Sequence, residues 1–73
     1  MITIDARGWE PPRPFETVMA ALCDLKSGEK LRLIVEREPL PLYRMLERND
    51  YAYFATTQID GCFEVLISKR TAP

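Results

Sequence analysis

Two short proline clusters constrain this chain more than any other feature of its sequence. The first cluster is Pro11-Pro12-Arg13-Pro14 and the second is Pro39-Leu40-Pro41. Proline fixes φ and lacks an N–H, so neither cluster can form a helix interior or a central strand. The first turn of a helix tolerates proline, because an N–H there would have no partner within the helix. Each cluster therefore predicts the start of a helix.

Apolar residues follow each cluster at helical spacing. The first stripe runs towards Gly28, a natural left-handed cap, and it consists of Phe15, Val18, Met19, Leu22 and Leu25. The second stripe ends at Asn49-Asp50, and it consists of Leu42, Met45 and Leu46 with Tyr43 at its border. The pattern predicts two amphipathic helices, each with one buried face.

Alternating apolar residues predict strands at residues 1–5 and 30–36, and two further β-rich runs occupy residues 51–59 and 62–69. The resulting order is β-α-β-α-β-β. It predicts an α/β fold, a two-layer sandwich in which both helices cover one face of a mixed four-stranded sheet. A chain of 73 residues has room for one domain. We expect it to span residues 1–70, with residues 71–73 as a flexible tail.

The dipeptide Asp60-Gly61 separates the last two strands. It favours a two-residue hairpin turn of type I′, whose central residues both take positive φ. Such a turn predicts that Ala52 and Phe54 face the helices. The opposite face of the sheet then carries Ile59, Cys62, Tyr53 and Leu66, joined by Ile34 from the second strand.

That opposite face is apolar for a surface in water, and such patches usually mark an interface. The candidate interface residues are Ile34, Tyr53, Cys62 and Leu66. A homodimer and a protein partner are alternative occupants, and shielding by lysine and arginine stems is a third explanation.

Composition excludes several classes of protein. Ten basic and eleven acidic residues give a net charge of −1 and a pI near 5.3, which argues against a nucleic-acid partner. No apolar run approaches the roughly 20 residues of a membrane span, and the first residues do not resemble a secretory signal. Two cysteines are too few to staple a secreted scaffold, which predicts a reduced, cytoplasmic protein.

The order of elements and several motifs resemble the TusA/SirA-like sulfur carriers, and more closely an uncharacterised sister family of bacterial type. The resemblance covers nearly the whole chain and implies the sheet order 1-2-4-3, with the last strand antiparallel to the others. The motifs that carry it are Ile4-Asp5-x-Arg7-Gly8, Pro11-Pro12-Arg13-Pro14, Leu25-x-x-Gly28-Glu29-x-Leu31, Arg37-Glu38-Pro39-x-Pro41-Leu42-Tyr43 and Phe63-Glu64-Val65-Leu66-Ile67-Ser68-Lys69.

One departure from the sulfur-carrier pattern decides the functional prediction. Those carriers have Cys-Pro-x-Pro before the first helix, and the cysteine holds the persulfide, whereas Pro11 occupies that position here. The sequence therefore predicts a non-catalytic binding or protein-interaction module on a sulfur-carrier scaffold, linked through the resemblance to redox or sulfur metabolism. The alternative is a sulfur-transfer protein that uses Cys62 or Cys23.

No constellation of residues predicts catalysis or a cofactor. The chain has no histidine, so the usual zinc, haem and non-haem iron ligand sets are missing, and we expect no metal or cofactor. Acidic neighbours disfavour thiolates at both cysteines. Cys23, on the flank of the first helical stripe, is predicted to be a small apolar filler, and Cys62 to be more exposed.

Three arginines predict a binding region. If the sheet is wound as the resemblance implies, Arg7, Arg13 and Arg37 lie near the two helix N-termini, which favour a small anion or an acidic segment. Plain surface charge is the alternative, since acidic residues share these loops. Trp9 either covers the core or anchors a partner. The candidate binding residues are Arg7, Trp9, Pro11, Pro12, Arg13, Pro14, Arg37 and Glu38.

Overall fold

A computed structural model describes residues 1–70, and the tail predicted at residues 71–73 lies outside the described residues. The elements in chain order are β1 (Ile2–Asp5), α1 (Arg13–Cys23), β2 (Lys30–Val35), α2 (Leu40–Arg48), β3 (Tyr51–Thr57) and β4 (Phe63–Lys69). The predicted β-α-β-α-β-β order is therefore confirmed.

The four strands form one mixed sheet in the order β1-β2-β4-β3. β1 pairs with β2 in parallel, and β4 runs antiparallel to both β2 and β3. Both the strand order and the antiparallel direction of the last strand are those that the resemblance implied. β4 thus lies inside the sheet, while β1 and β3 form its edges.

Each helix begins within a proline cluster, which confirms that the clusters mark the helix starts. Pro12 is the N-cap of α1 and Pro39 that of α2, and neither cap is made by a side-chain hydrogen bond. Proline also stands in the first turn of each helix, at Pro14 and Pro41. α1 ends at Cys23, earlier than predicted, and the positive φ of Gly28 serves the turn before β2.

The core lies between the helices and one face of the sheet. Met19 departs from the predicted α1 stripe, because its side chain is 38% exposed. Tyr43, placed at the border of the α2 stripe, is buried. The buried apolar residues are Ile4, Ala6, Val18, Leu22, Leu25, Leu31, Leu33, Val35, Leu42, Tyr43, Leu46, Val65 and Ile67.

The hairpin between β3 and β4 has a three-residue loop, so the predicted two-residue turn is wrong. The backbone N–H of Gln58 donates to the carbonyl of Cys62 at 2.7 Å, and Gly61 N–H donates to the carbonyl of Gln58 at 3.0 Å. Gly61 takes φ 87°, as in a type I turn followed by a left-handed residue. Asp60 stabilises the loop, since its carboxylate accepts from the Cys62 N–H at 3.0 Å.

A register change of one residue moves every side chain of a strand to the other face. Tyr53, predicted for the exposed face, is opposite Ile67 and stacks on Tyr43 with ring centroids 4.6 Å apart. Phe54, predicted to face the helices, is instead opposite Leu66 and 68% exposed. The assignments of Tyr53, Ala52 and Phe54 to faces are therefore corrected.

The sheet face away from the helices, here the open face, is less apolar than predicted. Ile34, Cys62 and Leu66 do belong to it, whereas Ile59 lies in the hairpin loop. An ion pair between Arg32 and Glu64 is on the same face, with Arg32 opposite Leu66 and Glu64 opposite Ile34. The exposed apolar part is centred on Phe54 and Leu66, near the β3 edge.

Neither helix within residues 1–70 has the length and apolar character needed to cross a lipid bilayer.

Candidate binding cleft

A cleft of about 790 Å³ opens between the loops that follow β1 and β2. Its deepest lining residues are Leu33 and Val35 of β2, which are 1% and 5% exposed. Further apolar lining comes from Ala6, Trp9, Phe15, Leu42 and the prolines Pro11, Pro12, Pro14, Pro39 and Pro41. The polar lining residues are Glu10, Glu36, Arg37 and Glu38.

The parallel pairing of β1 and β2 produces this cleft. Their carboxyl ends lie at one edge of the sheet, so the loops leading to α1 and α2 emerge side by side, the usual position of ligand sites in open α/β sheets. Each proline cluster stiffens one loop, because a locked φ lowers the number of backbone conformations available to it. The cleft is therefore bounded by two stiff segments.

Trp9 lies between the core and the cleft. Its side chain is half-buried and packs against the core, and it also lines the cleft. The guanidinium carbon of Arg13 lies 3.9 Å from the ring centroid, a cation–π contact. One side of the indole is thus held in place, which pre-positions Trp9 within the cleft.

The three arginines predicted to form one binding region are not brought together. The Arg7 guanidinium donates two hydrogen bonds to the Asp5 carboxylate, at 2.9 and 2.7 Å, and lies 3.8 Å from Asp60. It lines a separate depression of about 460 Å³ on the open face. Arg13 stacks on Trp9, so of the three only Arg37 lines the cleft.

The charged residues of the cleft are mainly acidic. Among residues 1–70, three carboxylates line it against one arginine, and Glu36 accepts a hydrogen bond from the backbone N–H of Gly8. The prolines supply no N–H, and the N–H of Arg13 already donates to the carbonyl of Glu10 at 3.0 Å. Few donors are left for an anion, so the cleft favours a cationic group beside an apolar one.

A buried hydroxyl lies next to the acidic residues. Among residues 1–70, the Tyr43 hydroxyl is buried and has no hydrogen-bond partner. Burial raises the pKa of Tyr43, and the nearby Glu38 carboxylate raises it further. Tyr43 therefore stays neutral at physiological pH, and its phenol does not add to the negative charge of this region.

Neither cysteine lines the cleft. Cys23 is exposed at the last position of α1, which corrects its prediction as an apolar filler. Cys62 is half-buried, so it is less exposed than Cys23, contrary to expectation. Burial raises the pKa of the Cys62 thiol, and the Asp60 carboxylate raises it further.

We expect slow alkylation of Cys62 by iodoacetamide at neutral pH, because only the thiolate reacts. In a Cys23→Ser background, a thiolate absorbance titration should give a midpoint above the ordinary 9.0. Asp60→Asn keeps an oxygen that can accept from the Cys62 N–H but removes the charge, so the midpoint should fall. A midpoint below 9.0 in the Asp60-containing protein would contradict this environment.

Sequence reasoning identified the rim of the cleft and missed its interior. Phe15, Leu33, Val35 and Leu42 were assigned to the core or its helical stripes, although each also lines the cleft. Their position in the sequence could have indicated this role, because Leu33 and Val35 lie at the end of β2, directly before a proline-containing loop. Among residues 1–70, no group of three or more His, Cys, Asp or Glu side chains is arranged to hold a metal ion.

The chain is similar in fold and in sequence to a protein of known structure. The crystal structure of a SirA-like protein from Desulfitobacterium hafniense, determined by a structural genomics consortium, is similar with a TM-score of 0.83 and 31% sequence identity. The similarity covers 92% of this chain and 95% of that chain. Comparison with curated proteins gives no match.

A family model described as an uncharacterized conserved protein (DUF2249) matches residues 3–69. This range includes both helices, both proline clusters and all four strands, except for Ile2 at the start of β1. It agrees with the resemblance inferred from the motifs, to a SirA/TusA-like fold within an uncharacterised sister family. The chain belongs to the DUF2249 family and has a SirA-like fold.

Proposed function

We propose that this chain is a non-catalytic protein-interaction module whose cleft binds a short peptide segment carrying an apolar side chain next to a lysine or arginine. The observation that carries this proposal is the composition of the cleft. Its interior is apolar, its charged groups are mainly carboxylates, and its lining includes Pro11, the residue that the resemblance places where a sulfur carrier has its cysteine.

The apolar part of the peptide would contact Trp9, Phe15, Leu33 and Leu42. A volume of about 790 Å³ is within the usual range for binding sites, and tryptophan is enriched among residues that dominate interface energies. Because Arg13 already holds the Trp9 ring, less side-chain entropy is lost on binding.

The basic residue of the peptide would meet Glu10, Glu36 and Glu38. Contacts at such an exposed rim add little affinity each, about 0.2–1 kcal/mol, but they discriminate between partners of opposite charge. Charge therefore selects the partner and the apolar contact supplies most of the affinity. Through its sequence resemblance to the sulfur carriers, we place this module near redox or sulfur metabolism.

Peptide arrays read by Trp9 fluorescence test the proposal, because Trp9 is the single tryptophan. Peptides with an apolar residue beside lysine or arginine should bind, and the same peptides with glutamate at the basic positions should bind several-fold more weakly. Glu38→Lys should weaken the selected peptides by about two- to fivefold. The matched control is Glu47→Lys, on exposed α2 surface outside the cleft. Equal binding of both peptide sets, or equal loss in both variants, would refute the proposal.

The sulfur-transfer alternative requires a different experiment. The native chain, incubated with a cysteine desulfurase and cysteine, should keep its intact mass, since Pro11 cannot carry sulfur. A gain of one sulfur atom that disappears in Cys62→Ser or in Cys23→Ser would establish the alternative at that cysteine.

A further inference from the structure

β3 is an edge strand without the usual protection. Its seven residues, Tyr51–Thr57, include no charged residue, proline or glycine. Natural proteins generally protect edge strands with charges, prolines or bulges, because free N–H and C=O groups template pairing with another chain. The other edge, β1, has only four residues and ends in Asp5. The uncharged edge therefore points to a strand that pairs with β3.

The hydrogen bonds at both ends of the hairpin show which groups of β3 are free. Gln58 N–H donates to Cys62 and Arg70 N–H donates to Asp50, so even-numbered positions bond to the neighbouring strand. Hydrogen-bonded and non-bonded positions alternate along an antiparallel pair. The free backbone groups of β3 thus belong to its odd-numbered residues, Tyr51, Tyr53, Ala55 and Thr57.

We propose that β3 pairs with β3 of a second copy of this chain, antiparallel and symmetric about Phe54. In this register Tyr53 is opposite the partner's Ala55 and Tyr51 is opposite the partner's Thr57. All odd-numbered residues then form hydrogen-bonded pairs. The two sheets join into one of eight strands.

Phe54 gives the second copy its main side-chain contact. It stands at the midpoint of β3, on the open face, and is 68% exposed. On the two-fold axis it would be opposite the partner's Phe54 in a non-hydrogen-bonded pair, where Cβ atoms are about 4.5–5.5 Å apart. Leu66, opposite Phe54 within each chain, extends this contact into a small apolar cluster across both copies.

Two features favour a second copy over an unrelated strand. In the register about Phe54, every free backbone N–H and C=O of β3 has a partner, and no residue of β3 extends beyond the paired strand. The edge is therefore complementary to itself. A net charge of −1 gives little long-range repulsion between copies. β3 contributes no residue to the binding cleft, so the dimer leaves both clefts open, and the inference goes beyond the proposed function.

Sedimentation equilibrium over a range of concentrations, extending to several hundred micromolar, tests the dimer. The native chain should show a dimer, and Phe54→Glu should weaken dimerisation at least tenfold. Thr3→Glu is the matched control, because register places Thr3 in the same row of the sheet at the far edge. A native chain that stays monomeric, or a Phe54→Glu chain that dimerises like the native one, would overturn the proposal.

Ala55→Pro provides a second variant. Proline removes the Ala55 N–H, which lies on the free edge of β3, and leaves the hydrogen bonds between β3 and β4 intact. Circular dichroism would check that this variant is folded, and the folded variant should be monomeric. Disulfide trapping tests the register in a Cys23→Ser/Cys62→Ser background. Phe54→Cys should give a covalent dimer on oxidation, as the paired Cα atoms would lie within disulfide range, whereas Ala52→Cys should not. Efficient trapping of both would contradict this register.

Discussion

Leu22→Ala is expected to lower the free energy of unfolding by about 2–5 kcal/mol. Leu22 is 3% exposed and belongs to the buried face of α1. Truncation removes apolar contacts and leaves a cavity that a small, tightly packed domain cannot fully close. Chemical denaturation followed by far-UV circular dichroism measures this loss from the shift of the midpoint at constant slope.

Asp24→Ala is the control for Leu22→Ala. Asp24 is exposed and caps the C-terminus of α1 through its backbone N–H, which alanine retains. Its replacement should change the free energy of unfolding by no more than about 0.5 kcal/mol. Similar losses in both variants would mean that α1 presents a different face to the sheet.

Tyr53→Ala is expected to cost about 2–4 kcal/mol, while Phe54→Ala at the next position should cost about 0.5 kcal/mol or less. Tyr53 is half-buried and stacks on Tyr43, with ring planes 7° apart, whereas Phe54 is largely exposed. Denaturation at concentrations low enough to keep the chain monomeric separates the packing loss from any loss of dimerisation.

This pair of variants also reports the hairpin register. The two-residue turn at Asp60-Gly61 would bury Phe54 and expose Tyr53, so it predicts the opposite ranking of the two losses. A double-mutant cycle of Tyr43→Ala with Tyr53→Ala should show coupling of about 0.5–1.5 kcal/mol, the range for aromatic pairs. No coupling would argue against the stacked pair.

The fold could be predicted from local sequence patterns because the proline positions and the apolar periodicity indicated the same order of elements. The prolines marked the helix starts and alternation marked the strands. The hairpin register was the exception. Asp60-Gly61 is compatible with both a two-residue and a three-residue loop, and the choice depends on packing. The three-residue loop sets the register in which Tyr53 of β3 stacks on Tyr43 of α2. This contact joins two different elements, so the local turn sequence does not reveal it.

The cleft could be predicted only in part for a similar reason. The proline clusters and Trp9 were visible as unusual loop residues, whereas Leu33 and Val35 look like any buried strand residues. Arginines near helix N-termini predicted an anion site, but Arg7 is held by Asp5 and Arg13 by Trp9. Side-chain partners across a loop decide which charges face a cleft, and spacing along the chain does not reveal them.

The position of β4 has a consequence for synthesis on the ribosome. β4 follows the other strands in the chain but lies between β2 and β3 in the sheet. A nascent chain that has emerged only as far as β3 therefore cannot pair that strand, and the uncharged segment stays exposed on both of its edges. A chain that terminates before β4 would stay in this state permanently, so we expect such truncated chains to aggregate more readily than the intact chain.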